Sequence, residues 1–299
     1  MPRVVRYGWF VLVFNVGVIL LGGLVRATGS GAGCGRSWPT CQGTLVPLLE
    51  GATAVEFTHR AVSGAALVLV GLLAVWVWRT TTAGHPARTG AVLSLIAIVG
   101  EALIGAMIVL AEWVADDTSI ARAVSVPLHL VNTLFLLAAL TLTIFWLSGG
   151  SRIRLGGDPK ASRAVILGGL ALVLLAATGA VTALADTLFP KTAGDATSAE
   201  HFLTRLRIVH PVLAASAISI GWWLSARDGQ LRSVAARSLT VLVGAMALTG
   251  ILNVAFGVPV WTQLVHLGLS DVLWITYVWI AAQALQLSAA TESRLSPSR

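Results

Sequence analysis

Charge is the scarcest ingredient of this chain. Only 11% of its 299 residues are Asp, Glu, Lys or Arg, where an ordinary soluble domain carries roughly a quarter. Together with 56% hydrophobic residues and a mean hydropathy of +0.84, that deficit excludes a water-soluble globular fold and makes the bilayer the solvent. Cysteine is nearly missing as well. Cys34 and Cys41 are the only two, too few for a thiolate-rich zinc cage. Segments of barrel-strand length are lacking too: the apolar runs are far longer, so the spanning elements are helices, which satisfy their own backbone groups within lipid. No convincing cleavage site follows the first run, and it is expected as a retained helix rather than a removed signal.

What is present is a series of long apolar stretches. Eight of them, at about 7–26, 55–79, 89–111, 125–147, 162–184, 206–225, 234–254 and 259–286, approach or exceed the roughly 20 residues a helix needs to cross ~30 Å of hydrocarbon. The few charges are sorted between the connections. Basic residues occupy the termini and every second loop: Arg3 and Arg6, Arg79 and Arg88, Arg152, Arg154, Lys160 and Arg163, Arg227, Arg232 and Arg237, Arg294 and Arg299. The opposite loops carry Glu50, Glu112, Asp116, Asp117, Asp186, Asp195 and Glu200. By the positive-inside rule both termini are cytoplasmic and the acidic loops lie outside. The formal net charge of +7 is thus a topology signal in a multi-pass protein of the cell membrane, and calls for no nucleic-acid partner.

The hydrophilic segment 148–162, "SGGSRIRLGGDPKAS", divides the chain, and the two sides echo each other. The second span opens with "EFTHRAVSG" and the sixth with "RIVHPVLAAS"; the fourth opens with "VPLHLVNT" and the eighth with "TQLVHLGLS". The expected fold is an all-α integral membrane protein of eight transmembrane helices, arranged as two pseudo-repeated four-helix bundles. The N-terminal half is 1–147, the cytoplasmic linker 148–162, and the C-terminal half 163–299.

His59, His129, His210 and His266 fall at matching depths, within about two turns of the outer ends of the even-numbered spans. Ionisable groups inside spans are costly and usually face a bundle interior, with a partner or a ligand. Two histidines per half suit the two axial positions of a haem held between facing helices. His59 with His129 and His210 with His266 would give two sites; one shared site is the alternative that periodicity leaves open. His85 and His201 lie in loops and read as solvated residues.

The halves are not equivalent. Three residues before His59 stands Glu56, one turn outward on the same face; three before His210 stands Arg207. A partly desolvated carboxylate beside such a pocket suits proton transfer, whereas an arginine suits a haem propionate. The bland reading of Glu56 is a first-turn acid complementing the helix dipole, or a partner for Arg60. Glu101 and Asp271, also inside spans, are weaker candidates; Asp271 lies about 140° around the helix from His266. In the first external loop, Cys34 and Cys41 stand within a Gly-rich turn containing Trp38 and Pro39. An oxidising exterior permits a disulfide there; a redox pair and a metal pair are the other readings.

The stretches "GGLVRATGSG", "CGRSWPTC", "EFTHRAVSG", "PLHLVNT", "RIVHP" and "LVHLGLSDVLW" resemble the haem A synthase family of eight-helix membrane proteins, on the branch with one cysteine pair in the first external loop. The resemblance runs along essentially the whole chain. It implies oxidation of the C8 methyl of haem O to a formyl group, giving haem A for terminal oxidases, a four-electron change made as two hydroxylations and loss of water. By similarity His59 and His129 flank the substrate haem and Glu56 acts in catalysis. His210 and His266 ligate a permanent haem B, Cys34 and Cys41 form a disulfide, and Arg60 pairs a propionate or the rim. A haem O synthase and terminal-oxidase assembly factors are the implied neighbours. Two other readings account for four histidines: a quinol-linked dihaem electron carrier, and a haem transporter or chaperone.

Overall fold

A computed structural model describes residues 2–155, 158–189, 202–228 and 234–295. Among them the chain is helical, with no strand. The helices are α1 (Arg3–Ala27), α2 (Gly51–Thr80), α3 (Pro86–Leu110), α4 (Ile120–Leu147), α5 (Pro159–Leu188), the short α6 (Phe202–Leu206), α7 (Val209–Asp228), α8 (Val234–Ala255) and α9 (Val260–Leu295). Seven are long and apolar enough to cross a membrane, namely α1 to α5, α8 over 237–255 and α9 over 260–286. The sixth expected span, 206–225, corresponds to α7, set off from α6 by a break at Arg207 and Ile208. His201 lies outside the described residues.

Helix ends depart from the apolar runs because capping, not hydropathy, decides them. α4 starts five residues ahead of the expected 125, where the Ser119 hydroxyl accepts the Arg122 backbone N–H. α5 starts at Pro159 because Asp158 accepts the N–H groups of Lys160 and Ala161, at 2.8 and 3.3 Å. His85 is a cap rather than a merely solvated loop residue: its Nδ1 accepts the Ala87 N–H at 3.2 Å and Pro86 follows as the first helical residue.

The most extensive helix contact is α3 on α4, and the sequence of α3 explains it. Ala87, Gly90, Ala91, Ser94, Ala97 and Ile98 form one buried stripe, and small residues at helical spacing let two backbones approach where lipid supplies no hydrophobic drive between helices. A Cβ at Gly90 would collide with Thr143 Oγ1 and the Thr143 backbone. Gly90→Ala is therefore expected to destabilise by roughly 1–3 kcal/mol through overpacking, read as a lower thermal midpoint in detergent. The same change at Gly64, whose Cβ would meet nothing within 4 Å, is the control.

Burial is uneven along the bundle. The core runs through Val5 and Leu12 of α1, Val70, Leu73 and Val77 of α2, Leu137, Leu140 and Ile144 of α4, and Trp274, Val278 and Ala282 of α9. All of these lie toward the end of the bundle that carries the start of α1. α1, α4, α5 and α9 pack together at the centre, while α2 and α3 flank one side and α7 and α8 the other. Toward the opposite end the histidine-bearing helices stand apart. Among the described residues α2 packs on α1 and α3, and α7 on α5, with hardly any close backbone approach of α2 to α4 or of α7 to α9.

Candidate functional site: two pairs of histidines

The two gaps are where the histidines stand. In the second half, His210 of α7 and His266 of α9 face each other with ring centroids 6.4 Å apart and planes at 90°. The Nδ1 of each is held by the helix behind it. His210 Nδ1 lies 3.0 Å from the Leu175 carbonyl, which can only accept, so Nδ1 carries the proton. His266 Nδ1 lies 2.9 Å from Thr249 Oγ1. That hydroxyl donates to the Ala245 carbonyl at 2.9 Å, so its oxygen accepts from Nδ1–H. Both rings are thereby fixed as the tautomer with a bare Nε2, the form that binds a metal. Nitrogen–metal bonds of about 2.0 Å on both sides of one ion put opposed imidazole centroids roughly 6 Å apart. The 6.4 Å centroid spacing of the pair is close to that separation.

A glycine backs each of three rings. A Cβ at Gly179 would lie 3.1 Å from His210 Cε1, one at Gly250 3.4 Å from His266 Cε1, and one at Gly22 3.1 Å from His59 Cε1. The signal is in the sequence as "ATGAVT", "LTGILN" and "LLGGLV", each on the helix before the histidine. It went unread because a glycine in an apolar helix has no distinguishing context until its neighbour is known.

The first half is built differently. His59 of α2 is within electrostatic range of His129 and Glu101 and lies against the Val18 carbonyl of α1, while its buried Nδ1 makes no hydrogen bond of good geometry among the described residues. His129 Nδ1 of α4 lies 3.0 Å from Glu101 Oε2 of α3, at ion-pair distance but out of line for a ring N–H hydrogen bond. Glu101, a weak candidate from sequence, is thus part of this site.

Glu56 is buried, with its side chain 4% exposed, and both oxygens are engaged. Oε2 accepts the Cys34 backbone N–H at 2.7 Å, and Oε1 accepts from Arg60 Nε at 3.1 Å and Nη2 at 2.5 Å. Arg60 Nη1 donates onward to the carbonyls of Ser37 and Thr40, at 2.5 and 2.8 Å. The bland pairing of Glu56 with Arg60 is therefore present, and the pair laces the first external loop onto α2. Within that loop Cys34 and Cys41 are joined in a disulfide. Arg207 is committed in a comparable way: its Nε lies 2.8 Å from Asp186 Oδ1, and Nη2 donates to the carbonyls of Ala185 and Phe189 at the end of α5.

One further group escaped sequence reasoning. Arg26, at the end of α1, donates to Ala183 O, Thr187 Oγ1 and Gln263 Oε1, each at 2.7 Å, and so ties α1 to α5 and α9. Asp271 is 1% exposed, and neither carboxyl oxygen has a hydrogen-bond partner among the described residues. No pairing with another helix is found there. An unmatched buried carboxyl costs roughly 1–3 kcal/mol or more, so Asp271→Leu is expected to raise the thermal midpoint. A fall instead would show that the carboxyl holds a bound water or ion.

Comparison with known proteins decides the family. The family model described as Cytochrome oxidase assembly protein (COX15-CtaA) matches residues 5–278, which takes in both histidine pairs and the disulfide loop. The chain belongs to that family. Among curated relatives, a Thermus thermophilus protein named Protoheme IX farnesyltransferase is 46% identical over 299 residues, covering 96% of this chain and 49% of the relative. A Heme A synthase of Bacillus licheniformis is 39% identical over 130 residues, 43% of this chain and 41% of the relative. Another, of Bacillus mycoides, is 42% identical over 108 residues, 36% of this chain and 35% of the relative. The chain spans about half the length of the Thermus relative that it matches almost throughout. Among the described residues no three His, Cys, Asp or Glu side chains converge as a metal cage.

Proposed function

We propose that this chain is a haem A synthase, an oxidoreductase converting the C8 methyl of haem O to a formyl group. The observation that carries the reading is the His210–His266 pair, held at each Nδ1 and with no hydrogen bond at either Nε2 among the described residues, in a chain of this family. The Bacillus relatives' name supports the reaction. The Thermus relative is named for farnesyl transfer to protohaem IX; haem O is the product of such a transfer, which supports haem O as the substrate and a haem O synthase as a neighbour. Terminal-oxidase assembly factors are the further partners.

In this reading His210 and His266 hold a resident haem B, and Leu175 O and Thr249 keep their rings in the ligating tautomer. Haem B supplies one-electron transfer when bound. His59 and His129 flank the substrate. Glu56 moves protons at the reacting edge, and its Oε2, which accepts only the Cys34 N–H, keeps a lone pair for one. Arg60 and Arg207 are the propionate contacts, beside the carbonyls and carboxylates they hold. The architecture is two pseudo-repeated halves, 1–147 and 163–299, joined by 148–162, with α7 as the eighth spanning helix beside the seven long ones. The Gly22–His59 and Gly179–His210 contacts, one in each half, support the repeat. The charge distribution supports a multi-pass cell-membrane protein with cytoplasmic termini and haem sites near the outer face.

One observation favours the dihaem electron carrier as a second reading: Glu56 is engaged in the loop clamp through both oxygens, as a carrier with no proton to move would allow. Haem extraction and mass analysis separate the two. Protein expressed with a source of haem O is expected to yield haem A or a hydroxylated haem O, and protein expressed without it haem B alone. Haem O recovered unchanged would overturn the synthase and leave the carrier.

A further inference from the structure

The second pair is oriented by neutral acceptors, a carbonyl and a hydroxyl. The first pair has a carboxylate. We propose that Glu101 is a positioning residue for His129, and that its charge gives the first site an electronic character the second lacks. The inference rests on the haem reading of the histidine pairs.

The placement is built from two helical spacings. His129 and Asn132 are three apart on α4, and Ala97 and Glu101 four apart on α3, so each pair shares a face. Asn132 Nδ2 donates to Glu101 Oε1 at 2.6 Å and to the Ala97 carbonyl at 2.9 Å. Both partners only accept, so both amide hydrogens are used and the amide orientation is fixed. Gly100 makes room for this contact, since a Cβ there would come within 3.1 Å of Asn132 Oδ1. The clamp holds one carboxylate oxygen and presents the other, Oε2, to His129 Nδ1 at 3.0 Å.

A glutamate whose side chain is only 17% exposed, on a membrane-spanning helix, is costly and marks function more often than packing. A carboxylate 3.0 Å from Nδ1 stabilises positive charge on the ring and makes the imidazole a stronger ligand than a hydroxyl or carbonyl partner does. The oxidised iron, carrying the extra positive charge, gains most. The first site is therefore held at a lower reduction potential than it would have with a neutral partner.

The test is a redox titration of protein purified from cells lacking haem O and then saturated with haemin, with resonance Raman spectra of the iron–histidine stretch. Glu101→Gln keeps an acceptor and removes the charge. It is expected to raise one of the two potentials by a factor of ten or more in the one-electron equilibrium, 59 mV, to lower the matching stretch frequency, and to leave the other haem unmoved. Thr249→Val should move only the other. Should Glu101→Gln not fold, Asn132→Leu frees the clamp while keeping the carboxylate, and a smaller shift of the same haem is expected. Two bound haems with both potentials unmoved in these first-site variants would overturn the role of Glu101 and leave the haem reading standing. Wild-type protein that retains no haem would overturn the haem reading, and this inference with it.

Discussion

His266→Ala is expected to remove roughly half of the bound haem, leaving only the first site able to hold one. The reason is geometric. His266 and His210 are the two sides of one 6.4 Å gap, and α7 and α9 make hardly any close backbone approach there, so no other packing closes it. Alanine takes away the Nε2 lone pair and leaves the Thr249 oxygen without its donor. The fold should survive, because the buried core lies toward the other end of the bundle, in Leu73, Leu140, Ile144 and Ala282. Haem per chain, from the pyridine haemochrome spectrum, together with helicity by circular dichroism, checks both parts. Unchanged haem content would mean that the pair is not a ligand set. His210→Ala should behave alike, since it removes the opposite ligand.

Glu56→Gln is expected to lower conversion of haem O by roughly 10²–10⁴-fold, the range for loss of a proton-transfer group. The structure adds a complication that has to be controlled. Glu56 also holds the Cys34 N–H and Arg60, so a glutamine there turns an amide toward a guanidinium and loosens the loop. Arg60→Gln breaks the same clamp and leaves the carboxylate. If Glu56 acts in the chemistry, Arg60→Gln retains much of the turnover while Glu56→Gln does not. Equal losses in both, with equal gains in proteolysis of residues 28–50, would assign Glu56 to holding the loop.

The four histidines were legible because membrane helices contain so few ionisable groups that each stands out, and because their depth repeats. Their partners were not. Leu175 contributes a backbone carbonyl, which no side chain announces. Thr249 and Gly250 are ordinary residues of an apolar helix. Glu101 was visible as a charge but could not be aimed, since nothing local says which face of α3 meets α4. Glu56 and Arg60 were legible as an i,i+4 pair, yet their hold on the Cys34 amide and the carbonyls of Ser37 and Thr40 required the loop to fold back over α2.

The sequence by itself determined the solvent, the helical class, the spacing of the spans, the sorting of charge between loops, and four ligand-type residues at one depth. These follow from composition and from periods of a few residues, which are local properties of the chain. Only the tertiary structure decided the rest. It showed that α2 stands away from α4 and α7 from α9, that three rings rest on glycines, and that one histidine meets a carboxylate while two others meet neutral acceptors. It also showed that Arg26 bonds to a carbonyl 157 residues away. Those facts depend on the rotation and axial register of packed helices. Small-residue stripes such as that of α3 set them through interhelical contacts, and no single helix encodes them alone.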